Sequence, residues 1–241
     1  MSGHSKWVNI KKRKESVDGQ KAKIFSKLGK EITVAVKTGG GPDLQVNGKL
    51  RDIVAKAKSN NMPNDNITRC IQKAAGEGNN QNYEEIKYEG FGPYGVSVIV
   101  QVMTDNKNRT AADLRCIFDR ANGTLGQTGS VSYMFEKKGY FLIEKTPDID
   151  ADSLMLEVID QGAQDFNAED EYIEIYTTPE EFAKVKKYLE DKKYKFMEAE
   201  IKPIANIKKE LDDEQIEKFE AFIDKLEEND DVEDVWHNAN I

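Results

Sequence analysis

The amino-acid sequence predicts an α+β protein: an N-terminal three-helix bundle followed by two split-βαβ units, one inserted in the other. Three observations carry that prediction. Apolar residues recur about every four positions up to residue 76 and about every two soon after residue 82. Between residues 136 and 204 the pattern runs strand, helix, strand, strand, helix, strand, a self-contained split order. A helix and a strand after that stretch then complete a strand–helix–strand begun before it.

Taken in order, residues 2–15 carry no apolar periodicity and read as an extended arm. Ile24, Leu28, Ile32 and Val36, with Phe25 beside them, predict a helix over 17–37. Gly39-Gly40-Gly41-Pro42 ends it. Leu50, Ile53, Val54 and Ala57 mark a second helix. Pro63 opens a third, carrying Ile67, Ile71 and Ala74 up to Gly76. Residues 77–82 read as a polar linker. Val96 to Met103 alternates as a strand. Thr110 and Asp113 resemble a capping box for a helix buried through Leu114, Ile117, Phe118 and Ala121. Ser130 to Phe135 reads as a short strand. Inside the insertion come a strand at Tyr140–Lys145 and a helix at Asp152–Gln161 with Met155, Val158 and Ile159 inward. A hairpin of Asp165–Ala168 with Glu171–Thr177 follows, then a helix at Pro179–Asp191 and a strand at Lys195–Ile201. Residues 212–228 predict a helix through Ile216, Phe219, Ile223 and Leu226, and Asp231–Trp236 a last strand. The expected domains are 1–76, a discontinuous 83–135 plus 205–241, and an inserted 136–204.

Composition narrows the function classes. The 241 residues are 38% hydrophobic and 33% charged, with a net charge of −9. The longest apolar run, Val96–Val100, is far too short to cross a bilayer, and no secretory leader is evident, so a cytoplasmic protein without membrane contact is expected. Cys70 and Cys116 sit in helical patterns and read as small buried hydrophobes. With two histidines and no cysteine pair at ligand spacing, no metal is expected. No serine elbow or acid–base cluster stands out, so the chain does not read as an enzyme and no cofactor is expected.

Charge is distributed unevenly. Residues 1–75 hold 16 Lys and Arg against 6 Asp and Glu, whereas residues 76–241 hold 19 against 38. A basic head on an acidic body points to a polyanion held at one end. The densest cations are Lys6, Lys11, Lys12, Arg13, Lys14, Lys21, Lys23, Lys27 and Lys30, of which Lys23, Lys27 and Lys30 have helical spacing. His4 and Trp7 lie among them. Trp7 can stack on an unpaired base or anchor the arm on the bundle. Lys107 and Arg109 sit where a strand meets a helix. They can hold a phosphate, or the segment can be a capped turn whose polar side chains satisfy local backbone. Gly90-Phe91-Gly92-Pro93-Tyr94-Gly95 matches a dinucleotide fingerprint in letters only, because it precedes a strand instead of opening a helix.

Several segments together resemble the YebC family, whose relatives include a mitochondrial translational activator of cytochrome oxidase. They are Gly3-His4-Ser5-Lys6-Trp7, Lys23-Ile24-Phe25, Glu31-Ile32-Thr33-Val34-Ala35, Gly39-Gly40-Gly41, Asn61 to Ile67, Tyr88-Glu89-Gly90, Gly92-Pro93, Thr104 to Thr110, and Gly129-Ser130-Val131. They occur in register along essentially the whole chain. Lys12 stands where a His is common and Tyr94 where a small residue is common. The resemblance implies a helical bundle and two ferredoxin-like domains, one interrupting the other. It implies either a DNA-binding transcriptional regulator or a ribosome-associated translation factor that relieves stalling at consecutive prolines. Ribosomal or transfer RNA is the favoured partner, ribosomal proteins a further one, and duplex DNA the alternative. A reading of another class makes the α/β domains small-ligand sensors with a basic output module.

Overall fold

The computed structural model describes residues 21–76 and 83–241. In it, helices α1 (Lys21–Thr38), α2 (Gly48–Ser59) and α3 (Asn64–Ala75) close on the stripe their spacing predicts. Leu28, Ile32, Val36, Leu50, Ile53, Val54 and Ile67 form one buried cluster. Each such side chain removed from water contributes about 1.5–3 kcal/mol before entropy is counted.

The join between α1 and α2 depends on Asn47, which is fully buried. Its Oδ1 accepts from Leu50 N at 2.9 Å and so caps α2, while its amide group donates to Ala35 O and Gly41 O, both at 2.8 Å. Gly39 must lack a side chain here, since a Cβ would come within 2.5 Å of Asn47 Oδ1 and 2.7 Å of Ala35 O. Gly40 and Gly41 take positive φ angles of 102° and 95°.

The chain divides into two compact units. The first holds the described residues up to Ser132 together with Asp212–His237. Besides the three helices it contains β1 (Glu84–Phe91), β2 (Ser97–Thr104), α4 (Lys107–Arg120), β3 (Thr124–Leu125), and later α7 (Asp213–Glu227) and β9 (Val232–His237). Its sheet runs β3-β1-β2-β9, antiparallel throughout, with Glu84 opposite Thr104 and Val98 opposite His237. Leu114 and Phe118 of α4 and Phe219, Phe222 and Ile223 of α7 are buried.

The second unit is Tyr133–Leu211 with Asn238–Ile241. It contains β4 (Phe135–Glu144), α5 (Ala151–Gln161), β5 (Ala163–Ala168), β6 (Tyr172–Thr177), α6 (Phe182–Asp191), β7 (Phe196–Ala205) and the short pair β8 (Lys209–Glu210) and β10 (Ala239–Asn240). The main sheet runs β5-β6-β4-β7. Phe141, Ile143, Leu154, Val158, Ile173, Ile175, Val185 and Leu189 form its core. The two sheets have the same order if β2 is counted as the first strand of the first unit. That unit is the same fold entered one strand early, with β1 supplying the third position. The α+β class is therefore realised as helices followed by two antiparallel four-stranded sheets.

Several sequence expectations are corrected. Strand β1 was not foreseen, because Glu84, Glu85, Lys87 and Glu89 make it look like a polar loop. Ser132–Met134 is a 3-10 turn and not a strand, and the following strand starts at Phe135. Helix α4 begins one turn earlier than the Thr110 capping box implies: Asn106 is its N-cap and Thr110 is buried inside it. On α5 the inward residues are Leu154 and Val158, whereas Ile159 is 48% exposed. Cys116 is exposed and Cys70 only half-buried, both as free thiols. The predicted linker at 77–82 lies outside the described residues, as does the N-terminal arm.

Strand β2 shows why alternation understates burial. Val98, Val100 and Val102 are covered, but so are Ile99 and Met103. Gly92 and Phe222 approach Val98 from one side, while Ile53 and Lys56 of α2 line a cleft with Gln101 and Met103 on the other. The helical head thus roofs the sheet face that α4 and α7 leave open.

Replacing Asn47 by Ala removes the cap and two donors to buried carbonyls. We expect it to lower unfolding free energy by about 2–3 kcal/mol in urea titrations. Asn47→Asp keeps the cap acceptor but sets an unmatched carboxylate oxygen against the Ala35 and Gly41 carbonyls, and is expected to cost at least as much as Ala at neutral pH.

Candidate nucleic-acid interface

His4, Lys6, Trp7, Lys11, Lys12, Arg13 and Lys14 lie outside the described residues, and Lys21 is placed only as the first residue of α1. The remaining candidates are Lys23, Lys27, Lys30, Lys107 and Arg109. The structure brings four of these five toward one acidic segment, residues 227–233.

Asp231 is the centre of that arrangement. Its side chain is 9% exposed. Lys30 Nζ lies 2.9 Å from Oδ1 and Arg109 Nη2 lies 3.0 Å from Oδ2. The hydroxyls of Thr104 and Thr110 stand 3.0 and 2.8 Å from Oδ2 and 2.8 Å from each other. Lys30 also donates to the carbonyls of Asp230 at 2.7 Å and Met103 at 3.3 Å. Met103 N in turn donates to Asp231 O at 2.8 Å. Burial alone would raise the Asp231 carboxyl, but hydrogen bonds from Lys30, Arg109 and Thr110 hold it well below the ordinary carboxylate range.

This geometry explains the Thr104-to-Thr110 motif. The hydroxyls at both ends meet at Asp231. In between, Asn106 Oδ1 accepts from Arg109 N at 3.1 Å, and Asp105 Oδ1 takes a second bond from Arg109 Nη2 at 3.0 Å. The guanidinium and first-turn amide that a phosphate would need are thus already engaged, the arrangement of a capped turn. Lys107 differs: it is exposed and has no ion pair among the described residues, and only its carbonyl is held, by Tyr88 Oη at 3.2 Å.

The lysine row on α1 faces the same acidic segment. Lys27 Nζ reaches Glu233 O at 3.4 Å. Burial and the neighbouring Lys27 lower the Lys23 pKa, against opposition from Asp230, Glu228 and Glu227. Lys56 pairs with Glu31 at 2.9 Å and Lys49 with Glu85 at 3.4 Å. Among the described residues of the helical head, Arg51, Lys58 and Arg69 are exposed without an ion pair. Sequence reasoning did not single these three out, because they stand apart in the chain and form no run.

Glu233, two residues beyond Asp231, has the opposite environment. Burial pushes its carboxyl up to about 7, against Lys27 and with help from Glu31 and Asp234. Its Oε1 is buried with no hydrogen-bond partner among the described residues. It lines the α2 cleft with Glu31, Asp52, Glu85 and Asp234. Lys49 and Lys56 line it as well, so five carboxyl groups face two ammonium groups and that side of the head is net acidic.

Two further motifs are structural. The carboxylate of Glu89 accepts from the amides of Gly129 and Val131 at 2.9 Å and of Ser132 at 2.8 Å. Burial raises this carboxyl, but the three amides outweigh it and the pKa is lowered. Tyr88-Glu89-Gly90 and Gly129-Ser130-Val131 are therefore two halves of one contact, and the capture of these amides is why 130–135 does not continue as a strand. Among the described residues no group of three or more His, Cys, Asp or Glu is placed to hold a metal ion, and no helix is long and apolar enough to cross a membrane.

Comparisons place the chain among known proteins. Residues 5–77 match the family model described as the TACO1/YebC protein N-terminal domain, and residues 83–239 that of the TACO1/YebC second and third domain. A curated relative from Acetivibrio thermocellus is 54% identical over 239 residues, covering 99% of this chain and 98% of the relative. One from Thermoanaerobacter pseudethanolicus is 54% identical over 241 residues, covering 100% and 98%. Both are named probable transcriptional regulatory proteins. The crystal structure of a conserved hypothetical protein from Aquifex aeolicus is similar at a TM-score of 0.78 and 40% identity, covering 92% of this chain and 91% of that one. The chain belongs to the TACO1/YebC family.

Two pH-dependent outcomes follow from the acidic segment. Asp231→Asn strands Lys30 and is expected to cost about 3 kcal/mol near neutrality. Because the folded pKa of Asp231 is depressed, its contribution is complete above the unfolded value of about 3.9 and fades as pH falls below it. The variant should therefore show a shallower acid limb in denaturation followed from pH 6 to 2. Glu233 has the reverse sign: its folded pKa of about 7 lies above the ordinary value of 4.5. Its ionisation penalty is absent below that value and complete above the folded one. Glu233→Gln should stabilise the protein by roughly 1–3 kcal/mol at pH 8 and change little at pH 4.

Proposed function

We propose that this chain is a nucleic-acid-binding regulator that acts on RNA, most concretely a ribosome-associated translation factor that relieves stalling at sequences such as consecutive prolines. The observation that carries the reading is the opposed charge of residues 1–75 and 76–241. Phosphate neutralisation by one cationic end gives affinity without requiring a sequence-reading helix. Two features support RNA over a duplex site. The three short helices of the head each pack through one apolar face, and among the described residues they carry no heptad repeat that would pair two half-sites. An arm with Trp7 among lysines suits unstacked bases.

Within this reading the cations have different duties. Lys30 and Arg109 are paired with Asp231, and Lys23 and Lys27 face residues 227–233, with Lys27 reaching the Glu233 carbonyl. Phosphate contact then falls to Lys6, Lys11, Lys12, Arg13 and Lys14, with Arg51, Lys58, Arg69 and Lys107 as exposed auxiliaries. The anionic cleft at Glu31, Asp52, Glu85 and Glu233 excludes a polyanion from that side. The α/β body of a ribosome-bound factor is free to meet basic ribosomal proteins.

The names of these relatives favour a second reading, a DNA-binding transcriptional regulator. Cosedimentation with ribosomes against duplex-DNA binding at physiological salt separates the two. Tight, sequence-selective duplex binding without ribosome association would overturn the RNA reading.

Replacing Lys11, Lys12, Arg13 and Lys14 together by Ala should weaken RNA binding and reduce the log K–log salt slope by about 3, with melting unchanged. The Lys30→Ala and Arg109→Ala changes should instead lower the melting temperature and leave that slope near its original value. Loss of slope from the second pair, and not from the first set, would place the docking surface on the Asp231 side.

A further inference from the structure

The motif Gly90 to Gly95 is not used by the proposed function, and it borders a largely apolar cleft in the first unit. The cleft has a volume of about 510 Å3 and lies between α4, α7 and the Pro93–Gly95 turn. That is within the range of about 300–1,000 Å3 typical of small-ligand sites.

Its floor is rigid. Phe222 is 3% exposed and meets Phe118 edge-on at 5.0 Å. A Cβ at Gly92 would come within 2.9 Å of the Phe222 ring, so the loop is fitted to that ring as tightly as glycine allows. The mouth carries Tyr94, held at φ 62° and ψ 15°. A bulky residue in the left-handed region costs on the order of 1 kcal/mol or more, and glycine would remove that cost. The chain instead keeps an aromatic ring there, 38% exposed.

The polar edge is cationic. Arg120, Lys218 and Lys225 line the cleft, and no Asp or Glu does. Lys218 has Glu214 as partner at 2.5 Å and Lys225 has Glu228 at 2.7 Å, leaving Arg120 without an ion pair among the described residues. The balance at the rim is positive on a chain whose net charge is −9. An apolar aromatic slot with a cationic edge fits a planar heteroaromatic ring joined to an anionic group.

We propose that this cleft is a nucleotide site, taking one base between Tyr94 and the Phe222 floor and its phosphate at Arg120 with Lys218 and Lys225. The nucleotide is either a free monophosphate or one unstacked position of a bound single strand. Only the second source rests on the nucleic-acid reading given above.

The test uses the full chain and isothermal titration with four probes: the four ribonucleoside 5′-monophosphates, the matching nucleosides, inorganic phosphate, and a ten-nucleotide single-stranded RNA. We expect saturable binding of at least one monophosphate, with its nucleoside and phosphate each at least tenfold weaker. Tyr94→Gly should weaken binding about tenfold while the melting temperature holds or rises, an outcome that a structural role for the ring would reverse. Ala221→Trp, on the exposed side of α7, fills the cleft and should abolish monophosphate binding. A single strand weakened about tenfold by Ala221→Trp places the base within RNA; a strand unaffected by it, with monophosphate lost, assigns the cleft to free nucleotide. No saturable monophosphate binding, or equal binding by the Ala221→Trp variant, overturns the proposal even where the arm variant confirms RNA binding. Monophosphate binding by a chain that holds no RNA would sustain the site and overturn the RNA reading.

Discussion

A carboxylate taken out of water must be matched by donors, and in the first unit that requirement falls on Asp231. Two stretches far from it in sequence answer it at the entry to β9: Lys30 from the middle of α1, and Thr104 with Arg109 and Thr110 from the β2–α4 junction. The ionic contact is not a large net stabiliser by itself, since desolvation offsets much of the attraction. Its value lies in what mismatch costs. Lys30 can reach Asp231 only if α1 lies over the sheet in one rotation, and Arg109 only if α4 starts at Asn106. Hydrophobic contacts between α1, α2 and the sheet tolerate sliding; a buried acid with four specified donors does not.

That constraint changes how the basic head must be understood. A count of lysines treats α1 as a cationic face, whereas packing turns the row of Lys23, Lys27 and Lys30 toward residues 227–233. The acidic excess of the later chain is thus not only a repulsive surface. Part of it is consumed in seating the head, and the same contact consumes part of the head's positive charge. What is left for a polyanion is narrower than the sequence total of 16 basic residues suggests. Among the described residues it comes down to Arg51, Lys58, Arg69 and Lys107, so the proposed surface is defined as much by which cations are neutralised as by which exist.

Much of the fold was legible because periodicity reports burial directly. The four-residue stripe of α1 and the strand–helix order of the insertion needed nothing beyond apolar spacing. Features decided by distant polar partners were not legible. Strand β1 presents Glu84, Glu85, Lys87 and Glu89, and its place in the sheet follows from pairing with β2, which no local pattern encodes. Ser130 to Phe135 has strand-like residues, but Glu89, 42 and 43 positions before them, captures the Val131 and Ser132 amides. Asn47 looks like any loop asparagine until the Ala35 and Gly41 carbonyls are seen converging on it. Of the candidate site, the motifs were visible and their duties were not: Thr104 to Thr110 signals a constrained turn in either reading, and only the position of Asp231 shows which groups remain open.

Asp231 and Glu233 carry this argument to its sharpest form. They share a strand end, both are largely removed from water, and their carboxyls are driven in opposite directions. Burial is common to both, so it cannot be the deciding difference. Asp231 receives donors from Lys30, Arg109 and two hydroxyls, whereas Lys27 spends its hydrogen bond on the Glu233 backbone carbonyl and Oε1 stays unmatched among the described residues. A strand that wished only to seat the head would place an apolar residue at 233. An acid there, beside Glu31, Asp52, Glu85 and Asp234, keeps one flank of the head hostile to phosphate while Asp231 fixes the head in place. Orientation of a polyanion on this protein would then come from where negative charge is retained at a cost, as much as from where positive charge is displayed.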